Sequence, residues 1–104
     1  MYVVNLMKLC RHGREERFMD RLLLASVLET RGAERFRLIA DAQEDPEYAR
    51  FYKALWTSEA KHGHIFVKMA LNYFDKTDVY KRLEFFIEKE AEIINEIDIR
   101  AALH

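Results

Sequence analysis

Residues 46–73 read PEYARFYKALWTSEAKHGHIFVKMALNY, and the spacing within them decides the fold class. Tyr48, Tyr52, Leu55, Glu59, His62, Phe66, Met69 and Tyr73 recur at alternating steps of four and three, which places them on one stripe of an α-helix running to Tyr73 or Phe74. Pro46 suits the first helical turn, where its missing N–H is no loss, and Asp45 before it is a natural side-chain cap. Two members of the stripe are not apolar. Glu59 and His62 stand three residues apart, so both side chains leave the helix from the same face.

Upstream, the segment from about Glu15 to Ala42 repeats the pattern. Phe18, Leu22, Ala25, Glu29, Ala33, Phe36 and Ala40 form its stripe, and Gln43 to Pro46 is the break between the two helices. Downstream, Asp75-Lys76-Thr77 is a second polar break. A third helix follows to about Ile97, with Val79, Leu83, Phe86, Glu90, Ile93 and Ile97 in line. The opening dozen residues end in His12-Gly13 and read as a short helix or an arm. Three glycines and one proline in 104 residues agree with an all-α chain, since these residues interrupt helices most severely. Residues 1–104 read as a single domain. A helical hairpin plus a third helix amounts to half of a four-helix bundle, and a chain this short buries a modest share of its surface. The hairpin is therefore expected to dock on another chain through the faces bearing Leu22, Ala25, Leu55 and Phe66.

Ionisable residues interrupt all three stripes: Glu29 in the first, Glu59 and His62 in the second, Glu90 in the third. A carboxylate in a helix seam is costly unless it is paired or binds a cation. Ferritin-like di-iron bundles meet that cost with metal, taking one glutamate from each of two helices and a Glu-x-x-His pair from each of two others. Counting from a turn centred on Glu44, Glu29 lies fifteen residues before (44 − 29) and Glu59 fifteen after (59 − 44). Antiparallel helices of equal rise set those two carboxylates level. Glu34 falls about a turn nearer the loop, which suits a supporting or salt-bridging role. The expected metal ligands are Glu29, Glu59 and His62. Competing surface roles exist: Lys53 or Lys61 for Glu59, and Arg31 or Arg35 for Glu29. Glu90 has three readings, as a metal ligand, as support for a ligand histidine, or as an acid at the edge of its helix. His64 lies on a different face from His62 and reads as solvated or packing. Phe36, Phe51, Tyr52, Trp56, Phe66 and Tyr73, with Met19 and Met69, read as core.

Seventeen basic and eighteen acidic side chains leave a formal charge of −1, so no net positive field marks the chain as a nucleic-acid binder, although a balanced total leaves room for local patches. Cys10, the single cysteine, excludes an intramolecular disulfide and a cysteine-built zinc site, and points to a reducing, cytoplasmic setting. Met1 to Leu9 are too short for a membrane span and lack the order of a signal peptide.

Several strings resemble the second half of the MiaE-type tRNA hydroxylases: MDRLLLA at 19–25, LETRGAERF at 28–36, FYKAL at 51–55, SEAKH at 58–62 and EAEII at 90–94, with the terminal His104 falling in a similar histidine-containing tail. The tail departs from that family at Ala101-Ala102-Leu103. The resemblance runs from about Tyr2 to the end. It implies a ferritin-like fold with a non-haem di-iron centre that uses O2 and electrons to hydroxylate the isopentenyl group of a methylthio-isopentenyl adenosine in tRNA. It also matches Glu29, Glu59 and His62 to the ligands of that half. The family's other half, with its own glutamate and Glu-x-x-His, has no counterpart here. The implied partner is therefore either a missing N-terminal half or a second copy, since a two-fold homodimer restores four glutamates and two histidines. A metal-binding or storage protein without hydroxylase activity, or a metal-free interaction domain, are the rival readings.

Overall fold

The computed structural model describes residues 2–103, which form four α-helices: α1 (Tyr2–Met7), α2 (Arg14–Ala42), α3 (Pro46–Tyr73) and α4 (Lys76–Leu103). His104 lies outside the described residues. The all-α, ferritin-like architecture expected from the spacing is present. The opening segment is a short helix, and the hairpin breaks fall where expected. Asp45 caps α3, its Oδ1 accepting from the Glu47 N–H at 2.8 Å with Pro46 following it, a device that stabilises a helix start by about 1 kcal/mol. Asp75 does the same for α4, accepting from the Thr77 N–H at 3.1 Å.

One boundary differs. The third long helix continues past Ile97 to Leu103. No glycine or proline stops it, and Glu96 and Arg100 pair at i, i+4 over 3.1 Å along the extension. Ile97 and Ile99 are exposed there, so the apolar stripe ends before the helix does.

The long hairpin of α2 and α3 is the spine, and α4 packs on α2 with α1 against it. Leu6, Leu23, Ala70, Val79 and Phe86 have no exposed surface and draw on all four helices. Two buried charge clusters fasten the outer helices. Asp20 of α2, fully buried, accepts from Arg82 of α4 (Nε 2.9 Å, Nη2 3.0 Å) and from Arg11 (Nη2 2.9 Å, backbone N–H 2.9 Å). Arg82 also donates to the Leu9 carbonyl at 3.1 Å and lies 4.1 Å over the Phe85 ring. Further along, Glu90 of α4 takes two hydrogen bonds from Arg31 (Nε 3.1 Å, Nη2 2.6 Å) and one from the Tyr2 hydroxyl (2.6 Å).

The body is a slab 48 × 37 × 19 Å, about two helix diameters thick. One consequence corrects the docking surface expected above: Leu22 is buried within the chain and Phe66 packs against the core, while Ala25 and Leu55 are half-buried. The apolar side chains left outside include Phe18, Tyr48, Phe51, Met69 and Tyr73, which removes Phe51, Met69 and Tyr73 from the expected core. The α3 stripe was that of a helix covered on both sides, and α2 covers one. Gly63 and Ala70 are its buried residues. No described helix is long and apolar enough to cross a membrane.

Candidate metal centre

Glu29 of α2 and Glu59 and His62 of α3 meet midway along the hairpin. Each offers a donor atom, and the three atoms lie within 4.8 Å of one another. His62 Nδ1 is 3.9 Å from Glu29 Oε2 and 3.9 Å from Glu59 Oε1. The level register expected from the turn is realised, because the loop is short and both helices run unbroken through the site. Two small residues set the spacing. Gly63, directly after His62, lets α3 approach α2: a Cβ there would lie 2.9 Å from Thr30 Oγ1 and 3.3 Å from the Ser26 carbonyl oxygen. The Ser26 hydroxyl donates to the Gly63 carbonyl at 2.8 Å, and Thr30 Oγ1 donates to the Ser26 carbonyl at 2.8 Å. Gly32, one turn beyond Glu29, leaves room for the second acid, with Glu59 Oε2 3.9 Å from where its Cβ would stand.

The electrostatics are those of an acid pair short of positive charge. The Glu29 carboxyl is held above its usual range, first by sharing a proton with Glu59, then by burial and by the Glu59 charge, with His62 opposing. When both acids are ionised neither can donate, and Glu29 Oε2 is buried with no hydrogen-bond partner. The basic residues that could have neutralised the pair are not in ion pairs with it. Arg31 turns to Glu34 and Glu90, and neither Arg35, Lys53 nor Lys61 is within ion-pair range of Glu29 or Glu59. Two carboxylates and an imidazole converging on one point, one oxygen desolvated and unbonded, form a donor set suited to a divalent transition metal.

A profile of the family described as tRNA-(MS2IO6A)-hydroxylase (MiaE) matches residues 1–104. The chain belongs to the MiaE family. It is similar to the tRNA 2-(methylsulfanyl)-N(6)-isopentenyladenosine(37) hydroxylase of Pseudomonas putida, with 32% identity over 99% of this chain and 50% of that protein. It is also similar to the enzyme of the same name from Salmonella typhimurium, with 28% identity over 99% of this chain and 37% of that protein. The MiaE-family chain thus spans half the length of one curated relative and just over a third of the other. No solved structure matches it.

The other ionisable residues singled out in this MiaE-family chain lie elsewhere. Glu34 and Glu90 both bind Arg31, Glu34 through Nη1 at 2.9 Å, and they form no part of the three-donor cluster. Burial pushes the Glu90 carboxyl up, but the hydrogen bonds from Arg31 and Tyr2 outweigh it and hold the group below its usual range. The Tyr2 hydroxyl, partly buried and bonded to that carboxylate, is pushed up to about 12. His64 is exposed on the outer side of α3, beside Trp56 and Ile65. Asp20 escaped the sequence reading altogether. Its signal was a second stripe on α2, Asp20, Leu23, Val27 and Arg31, which faces α4 rather than α3.

Proposed function

We propose that this chain supplies one half of the di-iron centre of an O2-dependent hydroxylase acting on the isopentenyl group of a modified tRNA adenosine. Glu29, Glu59 and His62 are its metal ligands. The observation that carries this reading is the convergence of those three donors around a buried, unpartnered Glu29 oxygen in a chain of the MiaE family. Carboxylate and imidazole donors fit iron, and bound iron would supply the oxidative chemistry that inserts an atom of O2 into a C–H bond.

The rest falls to the protein. Glu29 and Glu59 bring negative charge that a cation neutralises, and no ammonium or guanidinium competes for it. The Gly63 contact presses the backbone beside His62 onto Ser26 and Thr30, which fixes where the imidazole begins. The open face of the slab, with Met69 and Tyr73 exposed on α3, accepts a second hairpin that brings the remaining donors and excludes water. A second copy of this chain, related by a two-fold axis, fits that role. It would place four glutamates and two histidines around two ions.

The test is anaerobic loading with ferrous iron, followed by metal analysis. The parent chain should retain about one iron per chain, the stoichiometry of a site shared by two halves. Glu59→Ala and His62→Ala should each lose most of it. Retention in both variants equal to the parent overturns the ligand assignment. With iron, a reductant, O2 and isopentenylated tRNA, mass spectrometry of the nucleosides should then reveal the hydroxylated product.

A further inference from the structure

On the flank of α2 next to the open face, Arg17, Arg21, Leu24 and Leu28 follow one another at steps of four, three and four. They form one wall of a groove of about 590 Å3 whose other wall is α1 and the turn after it, including Met7 and His12. No acidic side chain lines this groove, although acids slightly outnumber bases in the chain as a whole. Arg11, at its edge, is engaged by Asp20 and Glu16. Arg17 and Arg21 are exposed and, like most basic side chains of the described residues, form no ion pair; what sets them apart is that they share a groove with no acid in its lining. Two like charges one turn apart repel each other, and no acid among the described residues forms an ion pair with either. An external anion would relieve it.

We infer that this groove binds RNA backbone phosphate through Arg17 and Arg21, with an adjacent base lying on its apolar end at Val3, Met7 and Leu28. The groove is cationic at one end of the α2 stripe and apolar at the other. That polarity matches a nucleotide, which is anionic at its phosphate and flat and weakly polar at its base. Guanidinium groups suit the first by forked hydrogen bonds, and an apolar floor suits the second. The inference deepens the function proposed above by giving the substrate's backbone a place, and it rests on that reading in taking RNA as the polyanion.

The experiment is fluorescence anisotropy of the full chain with a fluorescein-labelled anticodon stem-loop RNA across a salt series. Arg17→Ala/Arg21→Ala should weaken binding and lower the slope of log K against log salt by about 2, roughly one for each arginine. Arg17→Lys/Arg21→Lys should keep most of both, and Arg37→Ala/Arg50→Ala at the hairpin end should change neither. Absence of binding by the parent chain, or an equal loss in the hairpin-end variant, overturns the groove. So does a double variant that loses self-association while its RNA affinity stays put. Iron content keeps the two proposals apart: the groove variant should load iron as the parent does, and His62→Ala should bind RNA as the parent does.

Discussion

The buried acids Asp20 and Glu90 and the half-buried Glu29 stand in two electrostatic states. Asp20 is held by the guanidinium groups of Arg11 and Arg82, and Glu90 by Arg31 and the Tyr2 hydroxyl; burial raises both carboxyls, the hydrogen bonds outweigh it, and both end below the usual range. Such groups add stability in full above the unfolded carboxylate value of about 4, and lose it as pH falls through their folded values. Glu29 is the opposite case. Its folded carboxyl is raised, so the protonated form is the one the fold prefers, and ionisation costs stability at every pH above that folded value. We expect Glu29→Gln to raise the melting temperature of metal-free protein at pH 7, with the gain vanishing below the unfolded value and iron binding lost. Thermal melts at several pH values, with and without chelator, check this; a variant less stable than the parent at pH 7 without metal contradicts it. The sequence made Glu29, Glu59 and His62 legible because a seam position and a level count are local facts about two helices and one short loop. Asp20 was not legible in that way. Its partners are 9 and 62 residues distant, and an acid inside MDRLLLA acquires meaning once α4 has been laid across α2.

Among the elements, the α2–α3 contact depends on where a methyl group fits. Alanine is a better helix former than glycine by about 0.8–1.0 kcal/mol, so helix propensity favours Gly→Ala at both Gly32 and Gly63. At Gly63 the new Cβ would press on Thr30 Oγ1, itself tied to the Ser26 carbonyl, and on that carbonyl oxygen. Overpacking of this kind costs about 1–3 kcal/mol and exceeds the propensity gain. Gly63→Ala should therefore lower unfolding free energy by about 1 kcal/mol, while Gly32→Ala, with 3.9 Å to its nearest neighbour, should raise it by a comparable amount. Urea titrations of the two variants decide, and equal signs would count against the close approach. Helix ends were readable wherever a cap or proline stood, as at Asp45 and Pro46. The end of α4 was not, because an apolar stripe marks where a helix is covered, and polar i, i+4 pairs carry α4 beyond that point.

At the scale of the molecule, a slab 19 Å thick leaves one side of the proposed metal donors facing outward, with Phe18, Tyr48, Phe51, Met69 and Tyr73 exposed on the same body. We expect sedimentation velocity to show a concentration-dependent dimer at micromolar protein. Met69→Glu/Tyr73→Glu should shift it to monomer and lower iron retention together. A monomer that holds iron as tightly as the dimer would break the link between assembly and site. The arrangement of contacts along the chain also sets an order in time. The α2–α3 hairpin closes a short loop and can form early, whereas Tyr2 must find Glu90 across 88 residues and Arg82 must find the Leu9 carbonyl across 73. Glu29, Glu59 and His62 all belong to the hairpin. In the kinetics of folding, the proposed metal donors come level in the fast step, and the ends of the chain are latched behind them.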